Sequence, residues 1–406
     1  MNHEFLKKLP KTDLHMHLDG SVRISTLIEL ARESKIDLPS YTEQGLRETV
    51  FKEQYKDLDE YLTGFAYTTA VMKTREQLER ISYEVAVDNQ QEGVRYVEVR
   101  FAPQLHASDE MDIVGCIRAV NDGLLRAKVE FNSRSEVKDG LEPPFHYGII
   151  ACAMRFFTPA FSDWYRKFFE MHHYTHRERV FALASLELEA AVARARWEEE
   201  LPVVGIDLAG SEAGWPALNH LEAFSRAQRH FLKKTVHAGE AYGPESIYQA
   251  ITDLYADRIG HGLTLLDPGS VKSKYIRDPE KYVDELAGYI ADRRITVEVC
   301  LTSNQQTNPA FRNLSNHPFR KMMDRKLSVT ICTDNRTISN TTVTKELHKA
   351  VNAFDLTKNN LKNILVYGFK RSFFPGRYDE KRQYVRKCME YFEKVEKEYF
   401  QKKSNQ

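Results

Sequence analysis

Eight short runs rich in β-branched and apolar residues recur along the chain, at 12–17, 95–100, 146–154, 203–208, 234–239, 257–262, 295–301 and 328–334. Most are separated by stretches with helical periodicity, such as REQLERISYEVAVDNQQEG before the second run. Alternation at this rhythm calls for a parallel sheet covered by helices, because each parallel pairing needs a long crossover. Eight such units are the number that closes into an α/β barrel. No Gly-rich phosphate loop follows the first run, which argues against an open dinucleotide-binding sheet. The expected fold is therefore an α/β, (β/α)8 barrel with extra helices capping its C-terminal mouth.

Two gaps are too long for single crossovers. Residues 21–94 are expected to hold extra helices, with LDEYLTGFAYTTAVM as an apolar, aromatic lid over the mouth. Residues 157–194, after the third run, form a charged, aromatic and helical insertion that either borders the pocket or makes a subunit contact. The tail from Tyr378 to about residue 401 reads as a final amphipathic helix with a frayed KKSNQ end. With no linker, repeat or low-complexity tract, the simplest organisation is one domain over 1–406.

Lys plus Arg and Asp plus Glu balance at 58 each, so net charge gives no reason to expect nucleic acid or anionic membrane as partner. Cys116, Cys152, Cys300, Cys332 and Cys388 are scattered and form no CxxC pair; they read as reduced thiols of a cytoplasmic protein. MNHEFLKKLPKTDLH lacks the apolar stretch of a signal peptide. No apolar run approaches the length of a membrane span.

In such a barrel the chemistry sits where the strands end. In TDLHMHLDG, His15 and His17 share one face of the first strand, and Asp19 follows. Asp207 and Gly210 end the fourth run, His237 and Glu240 the fifth, His261 the sixth, and Asp334 with Asn335 the eighth. His15, His17, His237 and Asp334 supply three nitrogens and one oxygen, a set suited to zinc with a position left for water. His261 is placed to hold the resulting hydroxide by hydrogen bond. Glu240, just past the strand end, is a candidate general acid or base with its pKa raised by a closed apolar site. Gly210 exposes backbone to a flat ligand. Asp207 reads best as a carboxylate that pins a histidine tautomer.

Each has a plainer reading alone: His261 as a core histidine, Glu240 as a carboxylate favoured by a helix N-terminus. Their shared placement favours metal-assisted hydrolytic attack on an electrophilic carbon. HHYTH (His172, His173, His176) lies in the charged insertion with no strand end or carboxylate beside it, and no second metal site is expected there.

TDLHMHLDG, GIDLAGSE, TVHAGE, RIGHG and CTDN, in that order, resemble the adenosine deaminase branch of the amidohydrolase superfamily. VRYVEVRFAP and VEVCLTSNQQT are similar to family segments, and the likeness runs from Lys11 to about Pro375. The resemblance implies a TIM barrel with one zinc ion per chain. It also implies hydrolytic removal of the 6-amino group of adenosine or 2′-deoxyadenosine, giving inosine or 2′-deoxyinosine and ammonia, within purine salvage. His15, His17, His237 and Asp334 resemble the zinc ligands. Glu240 resembles the group that protonates purine N1, and His261 the group that orients the hydroxide. Gly210 resembles the backbone contact to N3, and Asp19 the contact to the ribose 5′-hydroxyl. Leu58, Tyr61, Leu62 and Phe65 fall at the family's apolar lid.

Two departures stand out. Asn335 replaces the second Asp that the family sets against purine N7; N7 accepts, and Asn carries an NH₂ donor at any pH. The 157–194 insertion is longer than the family's usual connection. Other substrates therefore stay open: adenine, AMP or a 5′-substituted adenosine. Asp19 argues against a 5′-phosphate, for which Arg23 and Arg336 are the candidate cations. A two-metal hydrolase is disfavoured because no lysine ends the fourth run. An inactive nucleoside-binding protein is disfavoured by the full set of ligands together with Glu240. The HxE and PCxxC signature of cytidine-type deaminases is absent.

Overall fold

The structure is a computed structural model that describes residues 1–404. Eight strands run in sequence order around one sheet: β1 (Lys11–His17), β2 (Val94–Phe101), β3 (His146–Met154), β4 (Val203–Ala209), β5 (Lys233–Ala238), β6 (Arg258–His261), β7 (Thr296–Val299) and β8 (Ser328–Ile331). Every pairing is parallel, from β1 with β2 through to β7 with β8. A parallel bridge between Met16 and Asp334 joins the last strand's exit to the first. There the His17 N–H donates to the Asp334 carbonyl, and the Asp334 N–H to the His15 carbonyl, each at 2.8 Å. This is a TIM (β/α)8 barrel. Strands covered on both faces are buried along their length, and β1 and β2 are buried throughout, their polar residues included.

Each of the eight runs contains a strand, but the last three strands are shorter than their runs. Cys300 leaves β7 to cap helix Leu301–Thr307. Beyond Ile331 the chain turns toward β1, and Asp334 takes a left-handed φ of 63°.

The first gap holds five helices: Ile24–Glu33, Glu43–Thr49, Leu58–Leu62, Phe65–Ala70 and Arg75–Gln91. The last of these starts at a capping box of Thr74 and Gln77 and leads into β2. The second gap holds Asp163–Met171 and Arg177–Trp197. The final helix runs Tyr378–Ser404, so the start of KKSNQ is helical rather than frayed; its last two residues lie outside the described ones. All five cysteines are buried and unpaired. Among the described residues no helix is long and apolar enough to cross a membrane.

The barrel interior is not wholly apolar. Glu98, Arg100, Arg258 and Glu298 are buried inside it. The Arg258 guanidinium pairs with Glu298 at 2.6 Å and with Glu98, donates to the Arg371 carbonyl at 3.0 Å, and lies 3.5 Å from the Phe373 ring centroid. Arg100 pairs with Glu298 and Asp207, each at 2.9 Å. Burial pushes the Glu298 carboxyl up, but Arg100, Arg258 and His15 overcome this and hold it well below the usual carboxylate range. A pair of this kind is weak evidence of net stabilisation, yet removing one partner strands a buried charge. Arg258→Met is therefore expected to destabilise the fold by about 3–5 kcal/mol in urea unfolding. A loss below about 1 kcal/mol would show that the carboxylates find other partners.

Candidate active site

His15 and His17 project from the end of β1, His237 from the end of β5, and Asp334 from the seam beside β1. The Nε2 atoms of His17 and His237 are 3.2 Å apart. Asp334 Oδ1 lies 3.5 Å from His15 Nε2 and 3.6 Å from His17 Nε2. Ligands about 2.0–2.2 Å from a tetrahedral centre stand roughly 3.3–3.6 Å from one another, so these separations suit a cation between them. With its proton held on Nδ1 by Asp207, His237 presents a bare Nε2 lone pair toward His17 Nε2 at 3.2 Å. His15 Nε2 is buried and has no hydrogen-bond partner. Burial holds His17 well below the ordinary histidine pKa, in the neutral form that can ligate a metal.

The other nitrogens of two of these rings, His15 and His237, are tied to carboxylates. His15 Nδ1 lies 2.7 Å from Glu298, and His237 Nδ1 lies 3.1 Å from Asp207. A proton on each Nδ1 leaves each Nε2 as a free donor of its lone pair. Arg155 donates to the His237 carbonyl at 2.7 Å and so fixes that residue's backbone too.

Glu240 lies just beyond, its Oε1 3.6 Å from His261 Nε2. Burial, reinforced by the nearby Asp334 and Glu212 charges, pushes its carboxyl up to about 8. It is thus an acid at neutral pH. The tautomer of His261 follows from its neighbours. The Phe319 N–H donates to His317 Nδ1, so His317 carries its proton on Nε2 and donates to Asn304 Oδ1 at 3.2 Å. The NH₂ of Asn304 then faces His261 Nδ1 at 3.0 Å, which leaves the proton of His261 on Nε2, pointing into the site. Burial lowers the His261 pKa well below the ordinary value, so the ring stays neutral. His261, like Asp334, has a left-handed backbone, with φ 64°.

A cavity of about 1070 Å³ opens beside these residues, lined in part by His17, Asp19, Leu62, Phe65, Gly210 and Phe161. Gly210 has φ +90°, which a side chain would strain, and so presents bare backbone. Burial pushes the Asp19 carboxyl up to about 7, against hydrogen bonds from backbone N–H groups. The Phe65 and His17 rings stand nearly perpendicular, with centroids 6.4 Å apart.

Leu58, Tyr61 and Asn335 do not line this cavity. Tyr61, 1% exposed, turns inward. Its hydroxyl accepts from the Asn335 NH₂ at 2.8 Å and lies 2.7 Å from Ser339 Oγ. Asn335 Oδ1 packs so closely on Gly20 that a Cβ there would sit 1.7 Å from it. The insertion does border the cavity, through residues 159–163 and Lys167. Arg23 is held by Asp88 at 2.6 and 3.0 Å, Arg336 reaches Asn89 at 3.4 Å, and neither lines the cavity. Among the described residues, no group able to hold a metal includes His172, His173 or His176.

Sequence reasoning passed over Glu298, Arg100, Arg155, Asn304, His317 and Glu212. Arg100 and Glu298 left a signal, a charge inside an apolar strand run (RYVEVR, ITVEVCL). For Asn304 and His317 there was none, because their part in the site comes from the contact with His261, which only the fold creates.

The purified protein is expected to retain a divalent cation through dialysis, and His237→Ala to lose it. Glu298→Gln should weaken metal affinity about 10–100-fold in chelator competition. Unchanged affinity in both variants would remove these residues from metal binding.

The family model for adenosine deaminase matches residues 10–191 and 176–391. The adenosine deaminase of Mycobacterium avium (strain 104) is 34% identical over 388 residues, covering 93% of each chain. The N6-mAMP deaminase of Arabidopsis superposes with a TM-score of 0.70 at 26% identity, over 95% of this chain and 99% of that one. The adenine deaminase of Arthrobacter aurescens shares the fold, with a TM-score of 0.71 at 21% identity, over 95% and 99% of the two chains. This chain belongs to the adenosine deaminase family.

Proposed function

We propose that this chain hydrolyses adenosine and 2′-deoxyadenosine to inosine and 2′-deoxyinosine, releasing ammonia, with one zinc ion per chain. The observation that carries the reading is the buried acid Glu240 beside a group of imidazoles and one carboxylate spaced for a cation. His15, His17, His237 and Asp334 would hold the metal, and three nitrogens with one oxygen suit zinc. When bound, such an ion lowers the pKa of a water toward neutrality and so supplies a nucleophile.

The chain's own groups do the rest. Glu240 donates a proton to purine N1, which makes C6 electrophilic. The Nε2–H of His261 orients the attacking oxygen. Asp207 and Glu298 keep the imidazoles aimed. Gly210 offers backbone to N3 and Asp19 takes the ribose 5′-hydroxyl, while the Asn335 NH₂, held by Tyr61, would have to turn from that contact to reach N7. Leu62 and Phe65 shield the base from water.

Charge favours a nucleoside over a nucleotide. Asp19, Asp59, Asp109, Glu110 and Asp163 line the cavity against only Lys73 and Lys167. Lys73 donates to the Leu105 carbonyl at 2.7 Å, and Lys167 is paired with Asp109. A 5′-phosphate would meet a negative field. The chain works as one domain in the cytoplasm, in purine salvage, on a small purine nucleoside, with neither nucleic acid nor membrane as partner.

The test is ammonia release from adenosine, 2′-deoxyadenosine, adenine, AMP and a 5′-thio-substituted adenosine. Fast release from the first two, lost on removing the metal, is expected. Turnover of AMP above adenosine would overturn the nucleoside assignment. Glu240→Gln should abolish turnover with zinc still bound. Because the raised pKa leaves the acid form below about 8, kcat/KM should fall as pH rises through that value. A flat alkaline limb would remove Glu240 as the proton donor. Asp19→Ala should raise KM for adenosine while leaving adenine unaffected.

A further inference from the structure

Glu212 stands three residues past the end of β4 and is 3% exposed. Its carboxylate receives four consecutive backbone amides from the loop after β5. The Gly239 N–H donates to Oε1 at 2.8 Å. The N–H groups of Glu240, Ala241 and Tyr242 donate to Oε2 at 2.9, 2.6 and 3.1 Å. The Ser246 hydroxyl, from the helix Pro244–Thr252 that follows, also donates to Oε1.

Successive N–H groups that converge in this way form a concave anion site of the kind that elsewhere binds phosphate. Here the anion is a side chain of the protein. The loop includes Gly239 at φ +70° and carries Glu240 as the second of its four donors. The shape of that loop therefore follows the position of one carboxylate on the neighbouring strand's exit. The negative charge of Glu212 also disfavours a second anion at Glu240.

We infer that Glu212 is a positioning residue for the deamination reaction, the anchor that holds the Gly239–Tyr242 loop so that the Glu240 carboxyl meets purine N1. The inference rests on the deaminase reading for the role of Glu240. Glu212 touches no substrate atom and acts through the loop. A neutral amide cannot take its place. A glutamine with its NH₂ in place of Oε2 would face three N–H donors, and turned the other way it would take the acceptor from the Gly239 N–H and lose the charge that all four amides meet. A misplacement of a reacting group by about 1 Å is enough to slow a reaction roughly 100-fold.

The experiment compares wild type with Glu212→Gln and Glu212→Asp in three readouts. Steady-state kinetics on adenosine should show kcat down about 100-fold in Glu212→Gln with KM within about threefold. The inhibition constant of 1-deazaadenosine, which carries C–H in place of N1, should stay unchanged. Amide hydrogen exchange should show protection lost at residues 239–242 and kept at β1, with metal content equal to wild type. If Glu212→Gln does not fold, Glu212→Asp carries the test, since it keeps the charge but is one methylene shorter and should show the same pattern to a smaller degree.

A retained kcat would overturn the inference. So would unchanged exchange at 239–242, or a loss of 1-deazaadenosine binding in step with adenosine. Wild type that releases no ammonia from adenosine would sink the deaminase reading instead, and the exchange measurement would then decide alone whether Glu212 holds the loop.

Discussion

The buried Glu298 carboxylate is the constraint on which the site rests. It accepts from Thr235 at 3.1 Å, meets Arg100 and Arg258, and lies 2.7 Å from His15 Nδ1. Taking such a group out of water is unfavourable unless every lone pair is occupied. That requirement dictates the surroundings: two arginines must be buried with it, and each needs further acceptors. Arg100 finds Asp207 and the Leu14 carbonyl; Arg258 finds Glu98 and the Arg371 carbonyl. Asp207 in turn sits against His237. A polar layer thus links the strands that carry the imidazoles, and the orientation of the His15 and His237 rings is set from beneath.

This layer also accounts for what could be read in the sequence and what could not. The barrel was legible because eight apolar runs at regular spacing have few other solutions. His15 and His17 were legible because an i, i+2 pair on a strand converges whatever the rest of the fold does. Glu298 was visible as a charge in an apolar run, but its partners Arg100 and Arg258 come from other strands and only the closed sheet brings them together. Tyr61 shows the opposite failing. Its helix reads as an apolar lid, and an aromatic residue within it reads as part of that face. Its hydroxyl instead takes the Asn335 amide, a contact between segments remote in the chain.

The same long-range logic shapes specificity. The insertion after β3 and the helices after β1 meet across the cavity, so its outer wall is set by the parts of the chain that do not belong to the barrel repeat. Acidic residues predominate there, and the two lysines are already engaged. The barrel interior supplies the chemistry, while the connections decide what reaches it. That division lets one be altered with little effect on the other.

The seam between β8 and β1 has a consequence for how this protein comes into being. Asp334 hydrogen-bonds the backbone of His15 and His17, so three of the groups that would bind the metal lie where the first and last strands meet. A growing chain carries both β1 imidazoles almost from its start, yet lacks the carboxylate until the eighth strand has been made and docked. The ring of strands and the metal-binding group are completed by one closure step. An incomplete chain therefore has no competent site, and reactivity arrives only with the finished barrel.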